Sequence, residues 1–298
     1  MSQGEAAIRI RHSSTGLSGL DALRQGVYDV LSRRRLIRYL VQAEMKKRGS
    51  DTLLGNLWWV LDPLLQMVVY VIFVSIIGRR PAPDYPLFIF AAILPWKWFQ
   101  AVVSDATTAV VRQDRLIRQI AFPKLVLPVA TTVAGVVSFG WGLVPLGLLL
   151  LLHLNHVSLM LIFVPVIAAV QFVFTLAVAI LVSAANVFFR DLGNAAGHFL
   201  RLWWFLSPGL YSLAFVHDLQ LVKDNPIIGF LAGLNPFAVL FEAYRAVIYG
   251  AADDAGSFLP PHPPDIISLA FLLVGSLVFL AVCVMFFKRV EPEFAKVL

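Results

Sequence analysis

The sequence is short of charge: only 14% of its 298 residues are Asp, Glu, Lys or Arg, while 59% are hydrophobic. A soluble domain carries about 25% charged residues, so a membrane protein becomes the leading class. Cysteine is scarcer still. The single Cys283 excludes an intrachain disulfide framework and a CxxC metal site, and its apolar surroundings make it inert core. No GxxxxGK[ST] occurs, so the chain cannot build a phosphate-binding loop of its own. HExxH, GxSxG and a paired carboxylate motif in an exterior loop are missing too, which argues against an enzyme. The first 26 residues are polar and Gly/Ser-rich with no apolar h-region, so residues 1–25 read as a flexible cytoplasmic tail and not a signal peptide.

Long apolar runs are what the sequence does have. A helix crosses the hydrocarbon core with about 20 mainly apolar residues. Six such spans are expected, at about 54–78, 87–111, 125–152, 158–186, 197–216 and 266–287. The predicted fold is therefore all-α and polytopic. Lys and Arg set the orientation. With the N-terminus inside, 19 of the 24 basic residues fall on the cytoplasmic side, among them Arg33, Arg34, Arg35, Arg38, Lys46, Lys47, Arg48, Arg112, Arg115, Arg118, Lys124, Arg190, Arg201, Lys288, Arg289 and Lys296. The net charge of +6 thus follows topology instead of forming one basic face for nucleic acid.

The stretch 227–250 imitates a seventh span. A seventh crossing would strand Lys288, Arg289 and Lys296 outside. Asn235-Pro236 also interrupts it, with Asn suited to an N-cap and Pro to the first helical position. Two short re-entrant helices at the outer leaflet are expected, with Glu242 and Arg245 paired at i, i+3. Residues 251–264 read as an exposed linker. Residues 26–50 are too charged to insert and read as a helix on the cytoplasmic surface.

Few groups invite chemistry. His153 and His156 stand three apart in a short outer loop, where loop capping is a better reading than a metal pair; no metal site is expected. Asp62, Lys97 and Asp105 lie within spans, where charge is costly; they read either as a relay or as interfacial polar contacts between helices. Trp58, Trp59, Trp96, Trp98, Phe99, Trp203, Trp204, Phe205 and Tyr211 cluster near span ends. They suit an interfacial aromatic belt, or ring faces lining a substrate pathway for sugars. The loop 112–124, RQDRLIRQIAFPK, reads as a short cytoplasmic helix ended by Pro123, either a basic anchor or a docking knob for a soluble partner.

Four segments then carry a family resemblance in order and spacing. They are the basic helix running into LLGNLWWVLDPLL (53–65), LPWKWF (94–99) leading to RLIRQIAFPKLVLP (115–128), NVFFRDLGN (186–194) leading to WWFLSPGLYS (203–212), and LNPFAVLFEAYRAVIYG (234–250). Over about residues 30–298 the chain resembles the membrane subunit of ABC exporters for polysaccharides, the permeases of O-antigen, capsule and teichoic acid export. The resemblance implies a homodimer with two copies of a separate ATPase subunit, ATP and magnesium being held there and no cofactor here. It implies a transmembrane domain over 26–298 in the cytoplasmic (inner) membrane, with both termini cytoplasmic. Residues 112–122 would be the coupling helix, with Arg112, Asp114, Arg115, Leu116, Ile117 and Arg118 facing the ATPase. Residues 26–50 would be the interface helix, presenting Arg34, Arg35, Arg38, Lys46 and Lys47. Trp96, Trp98, Phe99, Trp203, Trp204 and Tyr211 would follow the pathway of a lipid-linked polysaccharide. Residues 227–250, with Asn235, Pro236, Glu242, Tyr244 and Arg245, would be the outer gate. The rivals are an ABC permease for drugs or lipids and a membrane-embedded sugar transferase.

Overall fold

The computed structural model describes residues 18–49, 55–76, 84–113, 122–213, 220–252 and 258–297. In chain order its helices are α1 (Gly19–Ser32), α2 (Arg34–Gly49), α3 (Trp58–Ile76), α4 (Tyr85–Ala109), α5 (Val126–Leu152), α6 (Val164–Phe188), α7 (Leu192–Leu206), α8 (Gln220–Asp224), α9 (Pro226–Gly233), α10 (Pro236–Ile248), α11 (Ile266–Val290) and α12 (Phe294–Val297). The only strands among the described residues are Ala251–Ala252 and Phe258–Leu259, paired antiparallel.

Five helical stretches are long and apolar enough to cross a membrane: 58–76, 85–109, 126–152, 159–188 and 266–293. The span expected at 197–216 takes a different form. Helix α7 has 15 residues, a rise of about 22 Å at 1.5 Å per residue, short of the ~30 Å hydrocarbon core. It stops because Ser207 precedes Pro208. Clash with the proline ring disfavours helical geometry one residue earlier, and Ser207 is extended at φ −95°, ψ 148°.

The N-terminal segment also differs from expectation. In place of one helix over 26–50 behind a tail of 1–25, there are two helices, and the first begins at Gly19. Ser18 caps it, its Oγ accepting from the Asp21 amide at 3.3 Å. The chain breaks at Arg33, so that α1 runs along α11 while α2 runs along α5. Gly26 makes the first contact close: a Cβ there would stand 2.6 Å from Val284 Cγ1.

Helix α4 is the hub, touching α3, α5, α6, α7 and α10. Residues Leu87 to Phe99 along it are buried except for Lys97. Pro95 sits inside it, where its missing N–H removes the helical bond to the Ala91 carbonyl; separately, the amide of the buried Gln171 donates to the Pro95 carbonyl at 2.7 Å and ties α6 to α4. Ring contacts fix the course of α10. Phe237 at its start packs on Trp96 at 4.8 Å and on Phe99 at 4.7 Å, halfway along α4. Tyr249, just past its end, meets Phe88 at 5.3 Å near the start of α4. Helix α10 therefore runs antiparallel to α4 from mid-bundle to the Asp84 end.

The exposed linker expected over 251–264 is partly structured. Gly250 takes φ +88°, and a Cβ there would come within 2.2 Å of the Leu259 carbonyl oxygen. Only glycine fits such a turn without strain. Pro261 and Pro264 are buried.

Filling the Gly26 crossing tests the α1 docking. Gly26→Leu is expected to cost about 1–3 kcal/mol by overpacking, read as a lower melting temperature of the reconstituted chain and faster proteolysis within α1.

Candidate functional site

Two ends of the bundle carry organised polar groups. At the Asp84 end the centre is Arg245, with only 2% of its surface exposed. Its Nη2 donates to the Gly209 carbonyl at 2.6 Å and its Nη1 to the Tyr211 carbonyl at 3.0 Å. Nε reaches the Phe88 carbonyl at 3.5 Å, and the guanidinium carbon lies 3.8 Å from the Phe88 ring centroid. Glu242 pairs with Nη1 at 3.4 Å, the i, i+3 contact expected from sequence, and accepts from the Leu213 amide at 3.0 Å. The fork thus satisfies carbonyls that the break after α7 leaves outside any helix. Asn235 works beside it. Its Oδ1 caps α10 by accepting from the Phe237 amide at 3.0 Å and also accepts from Trp203 Nε1 at 3.2 Å. Its Nδ2 donates to Ser207 Oγ at 2.8 Å.

A second knot at this end was not legible in sequence. His156, 1% exposed, places Nδ1 2.7 Å from the Tyr249 carbonyl and Nε2 3.0 Å from Asp84 Oδ2. Burial, reinforced by the Asp84 carboxylate, pushes the Tyr249 phenol above its usual pKa. The histidine joins three connections far apart in the chain, and only the short outer loop that carries it was visible beforehand.

At the opposite end, Lys288 Nζ lies 2.6 Å from both Asp29 and Glu291. Glu291 Oε1 accepts from the Lys124 amide at 2.6 Å. Helix α1, the chain before α5 and the end of α11 are thereby tied together. Close by, a cavity of about 400 Å³ between α2 and the ends of α4 and α5 is lined by Leu40, Glu44, Arg112 and Thr131 among others. Arg34, Arg35, Arg38, Lys46 and Arg112 are exposed. Asp114, Arg115, Leu116, Ile117 and Arg118, expected in the coupling helix, lie outside the described residues, as does the side chain of Lys47.

The aromatic residues expected along a pathway separate into three places. Trp96, Phe99 and Trp204 are 1%, 0% and 3% exposed. They pack with Trp203, Phe237 and Phe241 into one cluster inside a single chain. Their rings pack mainly edge-on and tilted against one another, and of the six only Trp203 is partly exposed. Trp98 turns away to Phe139, at 4.7 Å. Tyr211 sits in the Arg245 turn, its hydroxyl donating to the Phe205 carbonyl at 3.2 Å. Tyr244 is 1% exposed and packs beside Phe139. Of the intramembrane charges, Lys97 and Asp62 are brought together at 2.6 Å.

The sequence is 32% identical over 275 residues, 91% of this chain and 98% of the relative, to an O-antigen export system permease protein of Myxococcus xanthus. The chain belongs to the O-antigen export permease family. Similar permeases from Klebsiella pneumoniae are 26% and 25% identical over 211 residues, covering 70% of this chain and 78% of theirs. No family model matches. Within an O-antigen export permease, the Arg245 turn is a structural lock between two short helices and the hub α4.

Removing the lock has a calculable cost. Arg245→Met leaves several buried carbonyls without donors and is expected to destabilise the permease by about 3 kcal/mol. Arg245→Lys is expected to recover only part, lacking the planar fork. Asn235→Ala is expected to cost about 1 kcal/mol as a lost cap. Denaturant unfolding of the reconstituted chain measures all three.

Proposed function

We propose that this chain is the permease subunit of an ATP-driven exporter that moves a lipid-linked, O-antigen-like polysaccharide across the cytoplasmic membrane. Two permeases form the pore, and two copies of a separate ATPase subunit supply ATP hydrolysis with magnesium. The observation that carries the reading is the relationship to O-antigen export permeases over 91% of the chain, joined to five membrane-length helices. The missing phosphate-binding loop accords with an ATPase on another chain.

In this reading both termini are cytoplasmic. The Lys288 end faces the cytoplasm and the Asp84 end faces outward, as the distribution of Lys and Arg favours. Helix α7 with the turn after it makes the sixth crossing. Helices α9 and α10 form the outer gate, with Asn235, Pro236, Glu242, Tyr244 and Arg245. What supports a re-entrant course is that α10 starts at mid-bundle against Trp96 and ends beside Phe88. Residues 112–122 couple to the ATPase, assisted by the basic face of α2. What supports this is the shared cavity between α2 and Arg112, which brings both segments to one end of the bundle. A partner pressing there would move α4 and α5 together, since the connection joins them directly.

Two experiments test the reading. The tagged permease is expected to copurify with an ATPase. Arg115→Ala together with Arg118→Ala is expected to leave the complex assembled and its ATP hydrolysis running while surface polysaccharide is lost. Normal export by that double variant would remove residues 112–122 from the coupling role, and a permease that functions without any ATPase would overturn the assignment.

A further inference from the structure

A cavity of about 470 Å³ opens between α3, α4 and α5. Helix α3 contributes Trp58, Trp59 and Asp62, and α4 contributes Lys97, Gln100 and Ser104. Lys97 is the thirteenth of 25 residues in α4, so the cavity lies at membrane depth. Charge there is expensive unless paired or wetted. This pair is matched, with Lys97 Nζ and Asp62 Oδ2 2.6 Å apart, yet the side chains remain 27% and 60% exposed. They are held open to the cavity instead of being packed away.

The wall behind them is closely packed, with α4 meeting α5 at two glycines. A Cβ on Gly142 would stand 2.2 Å from Leu94 Cδ1, and one on Gly135 would stand 2.2 Å from Val102 Cγ2. Trp98 also lines the cavity. It is 3% exposed, and its indole N–H lacks an acceptor among the described residues.

The lining selects a class of ligand. A carboxylate accepts from hydroxyls, an ammonium donates to them, and the Gln100 amide does both. Trp58, 45% exposed, offers an open indole, and Trp59 stands beside it. The formal charges of Asp62 and Lys97 cancel, which disfavours a phosphate, since the one cation is already neutralised. An apolar lipid chain would leave the charged pair unsatisfied. A neutral ring with hydroxyls on its edge and C–H groups on its face matches every part. We infer that this cavity binds one neutral sugar residue of a membrane-anchored glycan, between the Trp58 and Trp59 indoles and the Asp62–Lys97 pair. The assignment rests on the polysaccharide-export reading and adds to it a sugar site inside a single permease chain, apart from the buried Trp96 cluster.

The test uses the full-length permease in nanodiscs. Cys283 is the one cysteine and is 1% exposed, so Cys283→Ser with Ser104→Cys places one reactive thiol at the cavity. Maleimide labelling is timed with dodecyl maltoside, or with dodecyl dimethylamine oxide, which has the same alkyl chain and no sugar. Ser75→Cys, outside the cavity, serves as the reference. Dodecyl maltoside alone is expected to slow labelling at position 104. Asp62→Asn is expected to weaken that protection about tenfold, the loss of roughly one charge-assisted hydrogen bond. Trp59→Ala is expected to weaken it independently of charge. Equal slowing by both amphiphiles would make the cavity an ordinary lipid groove and overturn the inference. So would no slowing, or protection that persists in both variants. Surface polysaccharide in cells separates this from the export reading: wild-type export with no protection sinks the sugar site alone, whereas protection without ATPase-dependent export retains the site and removes the exporter.

Discussion

The buried guanidinium of Arg245 holds the Asp84 end of the bundle together. A break at Ser207 ends α7 short of a bilayer's thickness and leaves the carbonyls of the following turn outside any helix. Arg245 brings donors to those carbonyls from α10 and places its guanidinium carbon over the Phe88 ring of α4. Three elements thereby share one charge. Helix α10 holds the position that starts the proposed gate at mid-bundle because its arginine and its capping Asn235 both reach the same turn. The geometry is fixed by directional hydrogen bonds, which hydrophobic burial alone does not supply among helices that are apolar on every side.

The opposite end uses a different device with a comparable result. Lys288 and Glu291 gather Asp29 of α1 and the Lys124 amide before α5. A displacement of the 110–125 connection would therefore be felt by α1 and α11 as well as by the two helices it joins. In the exporter reading this is a short mechanical route from a cytoplasmic partner to the body of the permease. Helix α4 runs from that connection to the Arg245 lock, and most of its residues are buried against other helices.

Much of this was legible in residues. The apolar runs gave five of the expected spans nearly at their observed positions, and Asn235-Pro236 marked the start of α10. The break after α7 was present as Ser207-Pro208-Gly209, but the apolar run around it outweighed that local signal. The Gly19 start was likewise written in Ser18 and Asp21, hidden by a polar tail. Asp62 and Lys97 each stood out as intramembrane charges. Their pairing did not, because they sit on different helices and nothing in the spacing states how those helices face.

Sequence by itself determined the class of molecule: membrane-length helices, an asymmetric distribution of Lys and Arg, no nucleotide loop, and a family signature in four segments. Tertiary structure decided which side of each helix is interior. Lipid and protein core are both apolar, so a span carries little of the amphipathic pattern that tells a soluble helix which way to turn. Trp96 and Trp58 look alike in sequence; one is sealed among rings and the other opens on a polar cavity. That difference depends on which helices meet each ring: α7 and α10 close over Trp96, while Trp58 lines the opening between α3, α4 and α5, a property of helices meeting in three dimensions.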